Sequence, residues 1–432
     1  MTRRLRVLMV GRHFWPLGSF DSAGHLMDLA VGLHRHGFHI EVVTPRHGSG
    51  WTERFTFREI MVHRPLPIFR SGWATRSDRT ASRYVRDLTS WLTKTAAGVD
   101  LILSDRAKEE AIAVVDAARA LNIPSIVRIG GHGDGSDLAY FADNRLGARC
   151  KANALAADAT VVNDARSHRR WLTLGADAAT VHRMAPYLIP IDAAATERSA
   201  LRHSLARING DLLVPEGATV LLSVERMRRE SGLIHLVESA MNLAKQFTDL
   251  QFWLIGDGPR RDWVYNRLRG DGLRQSTAMP GSFGSHDDIL IASDLMVHSG
   301  DEGFESQVPR AIMAAVPLVV ANTETARDFF GFSKEEIQNR DAGTSAPASD
   351  VNPSDVNLVH WYQPDDTESL RRAVSKVVFH REESRRKAES LRRRMQQLYP
   401  REELTNRYSS LIRDLVGWKS ELPSRRVAEA SE

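Results

Sequence analysis

The amino-acid sequence predicts an α/β protein of two doubly wound domains, each built on a parallel sheet sandwiched by helices, with further helices closing the chain. Three observations lead there. At about 150 residues per domain, 432 residues exceed what one ordinary core organises. Short apolar runs alternate with amphipathic stretches, as in βαβ units. That alternation is read twice, with a break near Pro186 and Pro190, where proline discourages regular structure and marks a crossing between domains.

The first pass opens with a strand at 6–10 and a helix at 23–36, whose Leu26, Leu29, Ala30 and Leu33 recur on one face. Strands at 40–43, 101–103, 125–129 and 160–162 follow, with helices near 108–121 and within 71–97. The second pass begins with a helix at 195–208. Its strands at 219–223, 251–255, 295–298 and 318–321 alternate with helices near 233–245, 260–268 and 309–315. Each strand is a nearly continuous apolar run, as expected where helices cover both sheet faces. Residues 333–357, rich in Ser, Asp, Asn, Pro and Gly, read as a long flexible insertion. Helices are expected from 367 to 416. The domains are drawn at 1–188 and 189–400, with a helix at 401–418 packing back toward the first domain and a flexible tail at 419–432.

Composition narrows the function classes. A hydrophobic content of 42% with 26% charged residues belongs to a globular chain with large cores, not to a disordered or fibrous one. The formal charge of +4 and pI near 9.3 suit anionic partners. No zinc-finger, RNA-recognition or other nucleic-acid signature accompanies that charge, so DNA and RNA are not expected. The basic stretch 385–394 alternates with Glu382, Glu383 and Glu389 at helical spacing, which favours a solvated helix face over a membrane-contact face. No apolar run reaches about 18 residues, and the segment after Arg4 is too short for a signal peptide. The single cysteine, Cys150, allows no internal disulfide and reads as a small buried hydrophobe. A cytoplasmic protein is expected, with peripheral contact at the inner face of the membrane left open.

In doubly wound sheets, ligands bind beyond the carboxyl ends of the strands, here in loops expected to face a cleft between the domains. The strand at 251–255 runs into Gly256-Asp257-Gly258-Pro259 and an Arg-rich helix. Two glycines permit a tight turn and close backbone approach, and Pro259 suits a first helical turn. Before it stands Leu221-Leu222-Ser223-Val224-Glu225-Arg226, then Ser231-Gly232-Leu233-Ile234. After it come Ser299-Gly300-Asp301-Glu302-Gly303-Phe304 and Val308-Pro309-Arg310-Ala311. In this order the three segments resemble the donor half of retaining family 4 glycosyltransferases of the GT-B fold, two Rossmann-like domains about a central cleft. The resemblance extends from about residue 6 to 416 and is strongest over 219–321.

The resemblance implies roles. Arg226 falls on the arginine that holds the donor diphosphate, where a guanidinium fork matches phosphate oxygens; Gly232 falls on the glycine that follows the family's lysine, and Ser231 stands in that lysine's place. Glu302 matches the acid facing the donor sugar and is the catalytic candidate, with Gly303 and Phe304 beside it. Arg310 occupies the position of the second acid, which binds the nucleotide ribose. Gly256, Asp257 and Gly258 complete the donor set. In the first domain Trp15-Pro16-Leu17-Gly18 resembles the family's proline-glycine loop, with Gly18 and Gly24 as backbone sites for donor phosphate. A sugar-contacting histidine is expected near 128–135, where register selects Gly130 and chemistry selects His132.

The implied activity is transfer of a sugar from a UDP- or GDP-type nucleotide sugar to an acceptor hydroxyl with retained anomeric configuration, in glycan, polysaccharide or glycolipid synthesis. The acceptor is a glycan, a lipid-linked group or a small molecule, and the basic loops at 46–54 and 69–79, with Trp51 and Trp73, suit an anionic or glycan one. No obligatory cofactor is expected, and no metal: His132, Asp134 and Asp137 read as a polar glycine loop rather than a ligand set. The departures at Ser231 and Arg310 keep a second reading open, a GT-B-shaped binding or assembly subunit with impaired transfer.

Overall fold

The structure, a computed structural model, describes residues 3–17, 21–67, 78–143, 145–184, 191, 197–229, 231–330 and 355–429. The chain divides into two compact units. One comprises Met1–Trp15, Ser22–Tyr187 and Arg401–Glu432, the other Pro16–Asp21 and Leu188–Pro400.

The N-terminal unit is an eight-stranded sheet in the order β3-β4-β2-β1-β5-β6-β7-β8. Its strands are β1 (Arg6–Val10), β2 (His39–Val43), β3 (Arg54–Phe57), β4 (Ile60–His63), β5 (Leu101–Ser104), β6 (Ser125–Ile129), β7 (Ala159–Val162) and β8 (Val181–Arg183). Every neighbouring pair is parallel except β3 with β4. The helices are α1 (Asp21–Arg35), α2 (Asp78–Thr95), α3 (Glu109–Leu121), α4 (Asp137–Asp143), α5 (Arg145–Leu155) and α6 (Ala165–Thr173). Helix α1 buries the expected face, Leu26, Leu29, Ala30 and Leu33. Side chains of α2, α3, α5 and α6 share one core with β1, β5 and β6; Cys150 lies in it, and burial pushes its thiol up.

The C-terminal unit is a six-stranded parallel sheet, β11-β10-β9-β12-β13-β14. Its strands are β9 (Thr219–Val224), β10 (Leu250–Ile255), β11 (Thr277–Gly281), β12 (Leu295–His298), β13 (Leu318–Ala321) and β14 (His360–Tyr362). Successive residues of β9 and β10 point to opposite cores: Leu222, Val224, Trp253 and Ile255 to one, Leu221, Phe252 and Leu254 to the other. This two-sided burial is why the strands lack a polar alternation. Around the sheet stand α7 (Arg198–Ile208), α8 (Leu233–Gln246), α9 (Arg261–Gly270), α10 (Asp287–Ala292), α11 (Phe304–Met313), α12 (Glu324–Phe330), α13 (Thr367–Phe379) and α14 (Arg381–Leu398). Each unit is thus a Rossmann-like α/β sheet flanked by helices, as the sequence predicts, and the chain closes in helices.

Helix α15 (Arg401–Glu429) belongs to the N-terminal unit, where Arg407 donates to the Arg183 carbonyl at 2.7 Å and Lys419 pairs with Asp158 at 2.9 Å. It continues through a stretch that composition reads as a tail, rich in the good helix formers Glu, Arg and Ala. Among the described residues no helix is long and apolar enough to cross a membrane. The expected insertion at 333–357 falls almost wholly outside the described residues, as do 71–77 of the helix expected within 71–97.

Helix α11 starts at Phe304, five residues before the proline taken to open it. Gly303, at φ +83°, sets the start, and Pro309 sits inside the helix, where it forgoes one backbone donor. The hairpin β3–β4 was not predicted because its turn carries no glycine or asparagine. Arg58 and Glu59 occupy both left-handed positions, with φ of +46° and +71°. Replacing Arg58-Glu59 by Asn-Gly is expected to stabilise the N-terminal unit by about 0.5–1 kcal/mol. A higher urea midpoint for that unit's transition is the expected reading, and an unchanged or lower one would show that the turn is not under backbone strain.

Candidate functional site

In the C-terminal unit the ends of three neighbouring strands carry the sequence-predicted donor residues. After β9 the chain continues as Glu225-Arg226-Met227-Arg228, and after β10 as Gly256-Asp257-Gly258. These two segments keep hydrogen-bonding beyond the strands: the Glu225 amide donates to the Ile255 carbonyl at 3.0 Å, Met227 to Asp257 at 3.1 Å, and Arg260 back to Met227 at 2.9 Å. Their separation leaves no room for side chains. A Cβ on Gly256 would lie 2.0 Å from the Glu225 carbonyl oxygen, and one on Gly258 2.3 Å from that of Met227. Gly256 also sits at φ +129°, a conformation that L residues rarely adopt.

The third strand end, β12, joins in the same way. Gly232, which caps α8, would place a Cβ 2.0 Å from the Ser299 carbonyl oxygen. The glycines that the sequence marks for close approach to a ligand thus closely approach backbone, and so bring the three loops together. Two helices, α8 and α11, begin at these loops. Their N-termini carry partial positive charge and unsatisfied N–H groups, which suits an anion.

Ser299 opens a loop that ends at Gly303 and carries Glu302. The Glu302 carboxylate accepts a charged hydrogen bond from Arg228, and both side chains are about one-quarter exposed. Arg226 is half-buried beside them in sequence. Ser231 spends its hydroxyl on the turn, donating to the Arg228 carbonyl at 3.0 Å. Arg310 lies on α11 and pairs with Asp287 at 2.7 Å. Next to that pair His286 is 1% exposed, and its pKa falls to about 3, chiefly through burial and then through the charge of Arg310. The Phe304 side chain does not face a ligand surface: it is 1% exposed and packs edge-on against His298 and Phe329.

In the N-terminal unit the strand ends hold a network of buried charges that sequence reasoning missed. Arg12, after β1, pairs with Glu109 and Glu110 at the start of α3, at 2.5 and 2.9 Å. Asp105, after β5, accepts from His25 at 2.9 Å and from Arg128 at 3.1 Å. Asp137 accepts from Arg106 at 2.8 Å and from the backbone amides of Ala107 and Gly130, each at 2.9 Å. Lys108 donates to the Gly135 carbonyl at 3.2 Å, and burial lowers its pKa to about 8. The signal was present as Ser104-Asp105-Arg106-Ala107-Lys108-Glu109-Glu110, a charge run placed directly after an apolar strand. A Cβ on Gly130 would lie 2.6 Å from the Arg128 guanidinium, and His132 is half-buried two residues on. Gly24 is buried in α1, and Gly18 lies outside the described residues. Asp137 is thus committed to arginine and backbone donors, and among the described residues no group of three or more His, Cys, Asp or Glu side chains is disposed to hold a metal.

Residues 206–337 match the family model for glycosyl transferases group 1. The match covers β9 to α12, the three strand ends included. A 2-deoxystreptamine N-acetyl-D-glucosaminyltransferase of Niallia circulans is 28% identical over 146 residues, which is 32% of this chain and 36% of that protein. The match therefore spans about a third of the relative's length. Among solved structures, sucrose-phosphate synthase of Thermosynechococcus elongatus superposes with a TM-score of 0.68 at 16% identity, covering 96% of this chain and all of that one. Anabaena HepE, solved with UDP and glucose, gives 0.67 at 16% identity over 95% and 99% of the chains. WaaG, a glycosyltransferase involved in lipopolysaccharide biosynthesis, gives 0.64 at 13% over 94% and 99%. At these identities the likeness is one of fold.

Two substitutions test the packing of the site. Gly256→Ala combines a clash with backbone and a disfavoured φ, so it should destabilise the C-terminal unit by about 1–3 kcal/mol or more; an unchanged urea midpoint would contradict the close approach. Asp137→Ala should cost the N-terminal unit about 3–5 kcal/mol, because it strands the Arg106 charge. The corresponding loss in urea stability checks it.

Proposed function

We propose that this chain is a retaining glycosyltransferase of the family 4 type, which moves a sugar from a nucleotide-diphosphate sugar to an acceptor hydroxyl with retention of configuration. The observation that carries the reading is the convergence, at three adjacent strand ends, of Arg226, the Arg228–Glu302 pair and the N-termini of α8 and α11. A leaving diphosphate needs cationic and N–H donors preorganised where charge develops. Arg226 and the two helix N-termini supply them, and Glu302 orients the donor sugar. The leaving phosphate then takes the proton of the attacking hydroxyl, so that a second carboxylate is not required. Nucleotide-sugar substrates are those of the matched family and of its UDP-bound structural neighbours, and no further cofactor enters this scheme.

The departures from the family pattern are read locally. Arg228, three positions before Ser231, supplies positive charge from the other side of the same turn. Arg310, held by Asp287, offers donors where the family offers an acceptor, so ribose hydroxyls would be recognised through their oxygens. UDP heads the list of donors because HepE was solved with it. The acceptor is assigned to the N-terminal unit, near His132 and the loop at 46–54, and a glycan or aminocyclitol-like acceptor fits the Niallia relative.

A thermal-shift panel of UDP, GDP and ADP, with and without magnesium, tests the donor site. Ligand at a hundred times its dissociation constant adds about 2.7 kcal/mol of stability. Stabilisation by one nucleotide, lost in Arg226→Ala and indifferent to magnesium, is expected. No response to any nucleotide would leave only a binding or assembly subunit. Glu302→Ala should lower transfer at least about a hundredfold while leaving the fold intact, and an unchanged rate would refute its role.

A further inference from the structure

The end of β9 buries an acid that the proposed chemistry does not use. Glu225 is 6% exposed and lies between Arg226 and the last strand residue, Val224. The pairing of β9 with β12 runs over Leu221 with Leu295 and Leu222 with Met296. Beyond it the Glu225 side chain takes over: one carboxyl oxygen accepts from the Ser299 amide at 2.9 Å and, in a very short contact, from the Ser299 hydroxyl. The carbonyl side of Ser299 is in turn pressed against Gly232. Ser299 is therefore clamped on both sides at the root of the loop that ends in Glu302.

We propose that the Glu225 carboxyl is the strut that positions the loop 299–303, and that its ionisation, by adding negative charge beside these loops, weakens the hold of this site on a nucleoside diphosphate. This rests on the donor-site reading above and adds to it a positioning residue and a proton. The physical cause lies in the surroundings. Burial raises the Glu225 pKa to about 7 against the hydrogen bonds from Ser299 and the longer one from the Ser223 hydroxyl, and the Glu302 carboxylate adds to the rise. Of the neighbouring arginines, Arg226 follows Glu225 directly and Arg228 pairs with Glu302. From β14 comes Tyr362, whose own hydroxyl is held neutral by burial and by the charge of Glu225. An incoming diphosphate brings further negative charge to the same loops, so it favours the neutral acid.

The sign follows. Because the folded-state pKa is raised, the stability contributed by Glu225 is complete below its unfolded value, near 4.5, and is lost as pH rises through about 7. Glu225→Gln keeps an acceptor for Ser299 and cannot ionise.

The experiment measures UDP affinity calorimetrically from pH 6 to 8.5 for the full-length protein, Glu225→Gln and Glu225→Ala, with urea midpoints at each pH. In the unmodified protein UDP binding should weaken above neutrality, by up to about tenfold per pH unit, the limit for linkage to one proton. Glu225→Gln should keep the acid-side affinity throughout and exceed the unmodified protein in urea midpoint above pH 7. Glu225→Ala should bind weakly at every pH. UDP titrates identically in all three, so the difference between proteins carries the result. Parallel pH courses for the unmodified protein and Glu225→Gln would overturn the proposal. If no protein binds UDP, GDP or ADP at any pH, the donor-site reading fails, and the strut is then judged on the urea midpoints alone: a gap that does not widen with pH sinks it too.

Discussion

The packing of backbone directly on backbone at the ends of β9, β10 and β12 is the constraint on which the C-terminal unit depends. Gly256 and Gly258 lie against the carbonyls of Glu225 and Met227, and Gly232 lies against that of Ser299. Any Cβ at these points would force the loops apart by more than an ångström. Because the loops meet there, Glu302 is brought to Arg228, 74 residues away in sequence. The glycines would serve the proposed donor site indirectly, by setting how close these loops stand.

The charges around that region divide into those that are committed and those that are poised. Ser231 and Arg310, the two departures from the family pattern, are both engaged with protein groups, the Arg228 carbonyl and Asp287. Glu302 shares its charge with Arg228 at partial exposure, where an ion pair contributes modestly and can be exchanged for a ligand contact. Glu225 differs in kind. Taking a carboxylate fully out of water costs several kcal/mol unless it is paired or neutralised, and here it accepts from the hydroxyls of Ser299 and Ser223 and the amide of Ser299. The N-terminal unit resolves the same problem differently, by matching each buried acid, Asp105, Asp137, Glu109 and Glu110, to an arginine.

Where the sequence could be read, the reason is local. Strands buried on both faces leave continuous apolar runs, and α1 leaves a helical stripe ending at Leu33, so sheets and principal helices are legible residue by residue. Short edge elements are not. Strand β14 has three residues, and the β3–β4 hairpin turns through Arg58 and Glu59, which carry no turn signal. Helix α11 begins ahead of the expected 309–315 because the left-handed Gly303, not Pro309, sets its start.

The sequence by itself determined the two-domain α/β architecture and the glycine-rich turn at Gly256, because periodicity and glycine-rich strand ends are properties of consecutive residues, whereas Arg226 and Glu302 were singled out by resemblance to a family. Only the tertiary structure decided what those residues meet. That Gly232 touches Ser299, that Arg228 holds Glu302, and that Glu225 bonds to Ser299 all arise from contacts across some 70 residues of chain. Such contacts exist only once the parallel strands have been laid side by side, and no local pattern encodes them.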